Sequence, residues 1–459
     1  MMKYLLQMPL VLLILWSKPS QAQQPHTLSL KEAWERANNS YPGLDEQKYL
    51  IEEFKIRKKE VQSQALPQIQ LQAQSSYGTL EGSTGAFFPV PGVFNVTGNN
   101  AILNPDIKAA HNTFGSVLMD WRIFEFGRQR NAVEAAEYQV QGAESSYHAA
   151  GLSLQSKVTR LYIDILYNKA NLQWAENNVV RINNIKEMTI SLARAGLKPG
   201  ADTSLSSSSL LQATAYQQEW LGKYDASKIN FTEVVPAKNF QLPGKAFLSG
   251  NLSASEIDSI PLGHPYLQVI TKELSYEQTQ ERLMGKGKYP SLSILGGMSS
   301  RGNAINPDGS LQSGLTSGFS NYANNYLIGL SLSWNISGVY TSSLAKKRSE
   351  KTVKSVQARY DTQKLQMETA MNAVVSRIGQ QKQQVMNNRL AEQEARNAYD
   401  LYLVRYEGGL ISLTELLQIQ SFLQLAEKEF IEAQQVLWNL LITQAEVSGD
   451  FNYLATQLN

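Results

Sequence analysis

The sequence predicts a mostly α-helical chain with a small transmembrane β part, organised as duplicated strand-helix repeats, and three observations predict it. Two stretches, Gly127 to Ala195 and Tyr340 to Glu407, contain no proline and only Gly142, Gly151 and Gly379 as breakers. At 1.5 Å per residue each is a helix of about 100 Å, several times the ordinary globular length. Four shorter segments carry apolar residues at every second position, the period of a strand with one polar side. The chain also repeats itself. Tyr41-Pro42 corresponds to His264-Pro265, and Ala65-Leu66-Pro67-Gln68-Ile69 to Lys288-Tyr289-Pro290-Ser291-Leu292. Further on, Trp121 corresponds to Trp334 and Gly196-Leu197 to Gly409-Leu410.

Taken in order, the N-terminus places Lys3 before a mostly apolar run, Tyr4 to Trp16, followed by Ser20-Gln21-Ala22 with small residues at the cleavage positions. This is the pattern of a secretory signal peptide over 1–22, so the mature chain is expected to start near Gln23, outside the cytoplasm. The first repeat spans 23–231. A linker over 232–262 is punctuated by Pro236, Pro243, Gly244, Gly250 and Pro261, and the second repeat spans 263–449, leaving a tail at 450–459. Each repeat opens with a polar helix (29–64 and 262–287) that a proline ends.

After that proline the period becomes two. In the first repeat Ile69, Leu71, Ala73 and Tyr77 alternate with glutamines, and Val117, Met119, Trp121 and Ile123 alternate with Ser116, Asp120 and Arg122, giving strands near 67–77 and 115–124. In the second repeat Leu292, Ile294 and Met298 mark a strand near 290–298. Tyr326, Ile328, Leu330, Leu332, Trp334 and Ile336 alternate with Gly329, Ser331, Ser333 and Asn335 near 326–336. One such strand fits any half-buried soluble sheet. Four together, each of about ten residues with Trp or Tyr near an end, fit tilted strands crossing a bilayer, with Trp121, Leu332 and Trp334 on the lipid face. The stretches 78–113 and 299–325, rich in Gly, Asn, Ser and Pro, read as surface loops. Four strands are too few to close a barrel, so several chains must combine, and three copies give twelve strands.

The long helices need partners. Met371, Val374, Ile378 and Val385 keep a coiled-coil spacing, with Gln381 and Asn388 making the seam partly polar. Each long helix ends at a short Gly-Leu turn and a second helix returns, with Asp202 and Thr203, and Ser412 and Glu415, as caps or first-turn acids.

Composition excludes other classes. Lys plus Arg number 42 and Asp plus Glu 40, a net charge of +2 that gives no reason to expect nucleic acid. The absence of cysteine removes disulfides, thiolate sites, cysteine nucleophiles and a lipidated cysteine anchor. Four scattered histidines suggest no metal cluster, and no cofactor or metal is expected. Mean hydropathy of −0.30 with one long apolar run excludes a bundle of transmembrane helices. Gly285-Lys286-Gly287-Lys288 lacks phosphate-loop spacing, and no Gly-x-Ser-x-Gly or His-Glu-x-x-His occurs. Paired acids such as Glu52-Glu53 read as helix charges, so no enzyme is expected.

Trp121-Arg122-Ile123-Phe124-Glu125-Phe126-Gly127-Arg128, followed by Asn131-Ala132-Val133-Glu134-Ala135-Ala136-Glu137, resembles the strand-to-helix junction of the TolC-like outer-membrane efflux family. Leu28-Ser29-Leu30-Lys31-Glu32-Ala33 with Tyr41-Pro42-Gly43-Leu44 resembles its first helix, and Gly-Leu at both turns resembles its tip motif. In the second half the junction is degraded to Trp334-Asn335-Ile336-Ser337-Gly338-Val339-Tyr340. The resemblance covers nearly the whole mature chain. It implies a homotrimer in the bacterial outer membrane, with a twelve-stranded barrel in lipid and a coiled-coil tunnel in the periplasm. The tunnel would dock on a periplasmic adaptor and an inner-membrane RND or ABC transporter, as the passive conduit of a tripartite efflux or type I secretion system.

The resemblance also implies sites. The tips Gly196, Leu197, Gly409 and Leu410 would meet the adaptor. A periplasmic gate would use Asp202, Tyr406 and Glu415, with Tyr406 hydrogen-bonded to Asp202 in the closed state and three Glu415 carboxylates near an axis raising one another's pKa. Two positions depart from the family: Ile411 stands where its network has Arg, and Gln418 where it has a further acid. The alternative reading from another class is an exported periplasmic coiled-coil structural or adhesion protein whose alternating segments are soluble hairpins.

Overall fold

The computed structural model describes residues 26–79, 109–237, 239–243, 247–248, 259–306, 308 and 310–458. The segment 1–22, expected as a signal peptide, and most of the loop expected over 78–113 lie outside the described residues. Strand β1 (His26–Thr27) leads into helix α1 (Leu30–Ser40), whose first turn Ser29 caps by accepting the Glu32 backbone N–H. The stretch 29–64, expected as one helix, is two. Tyr41 is extended, and α2 (Pro42–Ser63) starts afresh behind it. Proline drives its predecessor out of helical geometry and is at home in a first turn.

Next come β2 (Gln68–Thr79), β3 (Ala109–Phe124), α3 (Arg128–Arg194) and α4 (Gly200–Thr232), and then the short β4 (Phe240–Gln241). The order recurs as α5 (Pro265–Lys286), β5 (Ser291–Asn303), β6 (Ala323–Ser333), α6 (Gly338–Glu407) and α7 (Leu413–Ser448). The segment 450–459, expected as a tail, forms α8 (Asn452–Leu458), with Leu454, Ala455 and Leu458 buried where it packs on α1 and α7. Three apolar residues facing one core in two turns suffice to hold so short a helix.

The four main strands form one antiparallel sheet in the order β2-β3-β5-β6. Its register sorts the faces, with Leu118, Leu295 and Leu327 as exceptions on the polar side. Leu71, Val117, Met298 and Tyr326 pair in one row across the sheet, and Gln72, Ser116, Ser299 and Asn325 in the next. Ile328, Leu330 and Leu332 continue the apolar face along β6 and are all exposed.

The strands are longer than their alternation. β3 begins at Ala109 and β5 runs to Asn303, so parts of both expected loops are sheet. There Asn112, Thr113 and Phe114 are consecutively buried, and the Thr113 hydroxyl donates to the Gly318 carbonyl at 2.5 Å as the loop after β5 folds over the strand. With both faces covered, the period of two disappears. β6 is displaced the other way: it starts at Ala323 and stops at Ser333, so Trp334 and Ile336 lie just beyond it. The Trp334 indole N–H donates to the Lys288 carbonyl at 3.1 Å, and that of Trp121 to Ala65 at 2.9 Å. Ala65 and Lys288 are equivalent in the two repeats, so each Trp ties the helix-side end of its strand to the segment entering the partner strand.

Helix packing repeats as well. α3 carries α2 near the sheet and α4 beyond it, while α6 carries α5 and then α7. α3 also touches α5 and α7, which joins the halves. Midway along the helices lies the main apolar core, with Trp34, Tyr162, Leu166, Phe231, Trp438 and Phe451. β1 pairs in parallel with β4, so the expected linker contributes to this core through Phe240, Leu242 and Phe247. No described helix is long and apolar enough to cross a membrane.

His264 locks the second repeat to this core. Fully buried, its Nδ1 accepts the Tyr266 backbone N–H at 3.2 Å, so its Nε2–H donates to the Glu446 carbonyl at 3.0 Å. The Glu446 carboxylate accepts from Tyr266 and from Ser156, linking α5, α7 and α3. Both bonds of the ring need neutral imidazole, and burial lowers its pKa below the ordinary value.

Two expectations follow from the fold. Leu332→Arg puts a charge on the apolar face and should cost about 2 to 4 kcal/mol if it lies near the bilayer midplane, whereas Ser331→Arg on the polar face should assemble normally. Yields of heat-modifiable oligomer compare them, and equal yields would reverse the facing. For His264, the unfolded imidazole gains a proton as pH falls through its ordinary range of about 6.5, while the folded one resists until lower pH. Its contribution is therefore intact above that range and is lost progressively below it. Thermal midpoints measured from pH 7 down to pH 5 should fall, and His264→Gln should flatten that slope.

Candidate functional site

The two helical hairpins end in turns of the same build. At the end of α3 the Leu197 N–H donates to the Leu192 carbonyl at 2.9 Å and the Gly196 N–H to Ala193 at 3.0 Å. At the end of α6 the Leu410 N–H donates to Arg405 at 2.9 Å and the Gly409 N–H to Tyr406 at 3.0 Å. Both are Schellman closures, which need a left-handed residue. Gly196 and Gly409 supply it with φ of +73° and +76°, and neither has an atom close enough to crowd a side chain. Glycine is there for backbone conformation rather than space. Leu197 and Leu410 project from the tips, 70% and 73% exposed.

The returning helices start differently. α7 has a complete capping box: the Ser412 hydroxyl accepts the Glu415 N–H, and the Glu415 carboxylate accepts the Ser412 N–H at 2.8 Å. α4 follows Pro199 with no side-chain cap, and Asp202 sits in its first turn. The Ser412 backbone N–H, then its hydroxyl, hold the Glu415 pKa below the usual carboxylate range, aided by the charges of Arg405 and Lys198. Within one chain this opposes the upward shift that a ring of three carboxylates would impose.

Tyr406 is fully buried among Ile185, Leu413 and Leu416 in a cluster that closes the hairpin ends. Its hydroxyl meets Thr189 Oγ1 at 3.0 Å; Thr189 donates onward to the Ile185 carbonyl, so Tyr406 is the donor. The expected hydrogen bond to Asp202 is thus replaced by one to Thr189, because the ring points across to α3. Burial raises the phenol pKa, and Asp202 adds to the rise through its charge. Ile411 is buried in the same cluster, which explains an apolar residue where the family resemblance has Arg.

One residue that sequence reasoning missed joins the two tips. Lys198 Nζ donates to the Ile411 carbonyl at 2.8 Å and lies 5.2 Å from the centre of the Tyr406 ring. Its only signal in the sequence is its place between the Gly-Leu turn and Pro199. Further along, Arg181 of α3 pairs through both terminal nitrogens with Glu427 of α7, and Arg396 of α6 bonds Glu427 at 2.7 Å and Glu392 at 2.6 Å. Glu427 is nearly inaccessible, so two guanidinium groups on other helices compensate its desolvation.

Removing the Tyr406 hydroxyl as Tyr406→Phe should cost about 1 kcal/mol, the worth of one neutral hydrogen bond. Thr189→Val should cost a similar amount. In a double-mutant cycle read by thermal or denaturant unfolding the two losses should be less than additive, and strict additivity would mean that the hydroxyls do not interact.

Comparison with known proteins places this geometry. The family described as outer membrane efflux protein matches residues 36–234 and again 257–443. Among solved structures, the outer membrane protein VceC of Vibrio cholerae superposes with a TM-score of 0.74 at 15% identity, covering 92% of this chain and 96% of that one. The outer-membrane channel OprN gives 0.71 at 16%, covering 92% and 90%. The CmeC outer membrane channel of Campylobacter jejuni gives 0.68 at 16%, covering 94% and 90%. At such identities the likeness is one of fold. No curated protein sequence matches. The family match extends over both repeats and well over half of the chain, and the fold is that of TolC-like channels: the chain belongs to the outer membrane efflux protein family.

Proposed function

We propose that the chain is the passive outer-membrane conduit of a tripartite efflux or type I secretion system, a homotrimer spanning from periplasm to exterior. The observation that carries this reading is the sheet, with one apolar face, one polar face, and β2 and β6 each paired on one side only. In lipid such edges must be paired, and four strands close only with those of further copies. Three copies make twelve strands around a polar lumen, continued by the paired helices as a periplasmic tunnel. Trp121, Leu332 and Trp334 face lipid in this arrangement. No step needs an enzyme; the energy comes from an inner-membrane RND or ABC transporter.

The tips are the adaptor contact in this reading. Gly196 and Gly409 turn the chain so that Leu197 and Leu410 stand in solvent, where two apolar side chains with no core to join favour a protein partner. Asp202, Tyr406 and Glu415 form the periplasmic gate, with the acids near the mouth favouring cations and Tyr406 holding the hairpin ends together.

Leu197→Asp combined with Leu410→Asp should leave the yield of detergent-resistant trimer and the bilayer conductance of the purified protein unchanged, and abolish efflux in cells deleted for the gene. Retained efflux and cross-linking to the adaptor in that variant would refute the tip assignment. Purified wild-type protein that forms no pore would refute the conduit itself.

A further inference from the structure

We propose that Lys198 is a latch that pins the turn between α6 and α7 onto the turn between α3 and α4 of the same chain. Its consequence for the entrance rests on the channel reading above; its geometry does not. The ammonium reaches from the first turn to the second, where the Ile411 carbonyl accepts at 2.8 Å. That carbonyl lies beyond the Schellman closure of α6, on the short link before α7 begins at Leu413, so the bond holds the link itself. The Tyr406 ring face, 5.2 Å from Nζ, gives the charge a second favourable neighbour. A charged donor on a carbonyl is stronger than a neutral pair, and this one is half-buried.

What lies beneath the latch is suited to movement. Gln420, Glu427 and Gln434 recur every seven residues on one face of α7 and are all buried. Gln420 bonds Asn178 of α3 and Glu427 bonds Arg181 of α3. The remaining amide capacity is unused: Gln420 Oε1 has no partner, and neither polar atom of the Gln434 side chain has one. These polar groups gain little from staying shut, since they exchange protein partners for water when the seam opens, and its closure rests on the apolar contacts of Ile182 and Ile185 with Leu413, Leu416 and Leu423 and on the ties at the tips. The α6–α7 pair differs. Met371, Val374, Ile378 and Val385 are buried along it, and Gln381 and Asn388 donate to backbone carbonyls of α7 at 3.0 and 3.1 Å. The second hairpin therefore moves as a unit, with Lys198 and the Tyr406–Thr189 pair as its polar ties to the first at the tips, beyond the Gln420–Asn178 and Glu427–Arg181 bonds further along.

The chain has no cysteine, so a spin-label pair can be placed cleanly at the exposed positions Leu197→Cys and Leu410→Cys. Labelled full-length protein diluted with unlabelled protein reports distances within one chain. Pulsed electron resonance should give one narrow distribution with Lys198 in place. Lys198→Met keeps the stem but not the charge and should broaden and lengthen it; Lys198→Arg should preserve it, and Lys198→Gln, a neutral donor, should fall between. In planar bilayers Lys198→Met should raise the open population roughly tenfold or more, the loss of one charge-assisted hydrogen bond. An unchanged distribution in both Lys198→Met and Lys198→Gln overturns the latch, whatever the conductance. If the wild type forms no pore, the channel reading fails while the distances still decide the latch.

Discussion

An antiparallel sheet of four strands with two open edges cannot stand in a bilayer, and most of this structure answers to that constraint. Every unpaired N–H and C=O on β2 and β6 would face hydrocarbon, at a cost of several kcal/mol each. In the proposed assembly further copies remove the edges, which works only if each sheet presents its strands in fixed register. A slip of one residue would turn the row of Leu71, Val117, Met298 and Tyr326 onto the polar side and the glutamines into lipid. The two indole bonds, Trp121 to Ala65 and Trp334 to Lys288, fix that register at the end where strands become helices.

The helices carry the same duplication at a larger scale. Each long helix is accompanied first by a helix that enters the sheet and then by one that returns from the tip. This demands a joint halfway along, and the chain builds it from parts that do not repeat: α1, α8, β1, β4 and the segment around Phe247. Trp438 donates to the Phe247 carbonyl and Tyr162 to that of Leu28, so the large aromatic residues of the core also satisfy backbone groups of its irregular segments. The result is a firm middle between a sheet with two open edges and tips that end in solvent.

Along α7 the residue types divide the labour between firmness and movement. Apolar residues pack on α6 and, near the tip, on Ile182 and Ile185 of α3, while a line of amides and one carboxylate bonds to α3 between them. The buried Arg181–Glu427 pair, joined from the surface by Arg396, fixes where the hairpins meet rather than adding much to their attraction, since desolvating the pair consumes most of what it returns. At the far end, Ser412 and Glu415 cap α7 within the hairpin itself, so that end can shift without losing its start.

The sequence by itself determined the plan: the repeated order of elements, the two long helices, the four strands and the two Gly-Leu turns. These are legible because each rests on local periodicity or on a residue with restricted backbone freedom, as at Gly196 and Gly409. Strand ends were not legible where tertiary cover hides the period, as over Asn112 to Phe114, and the tail's helix was invisible because three core contacts decide it. The site was half legible. The resemblance pointed to Tyr406, Asp202 and Glu415, but not to the partner of each. Only the folded chain brings Thr189 to Tyr406 and Lys198 to Ile411, residues 217 and 213 positions apart, because contacts between different helices depend on how the helices pack and leave no period in the sequence.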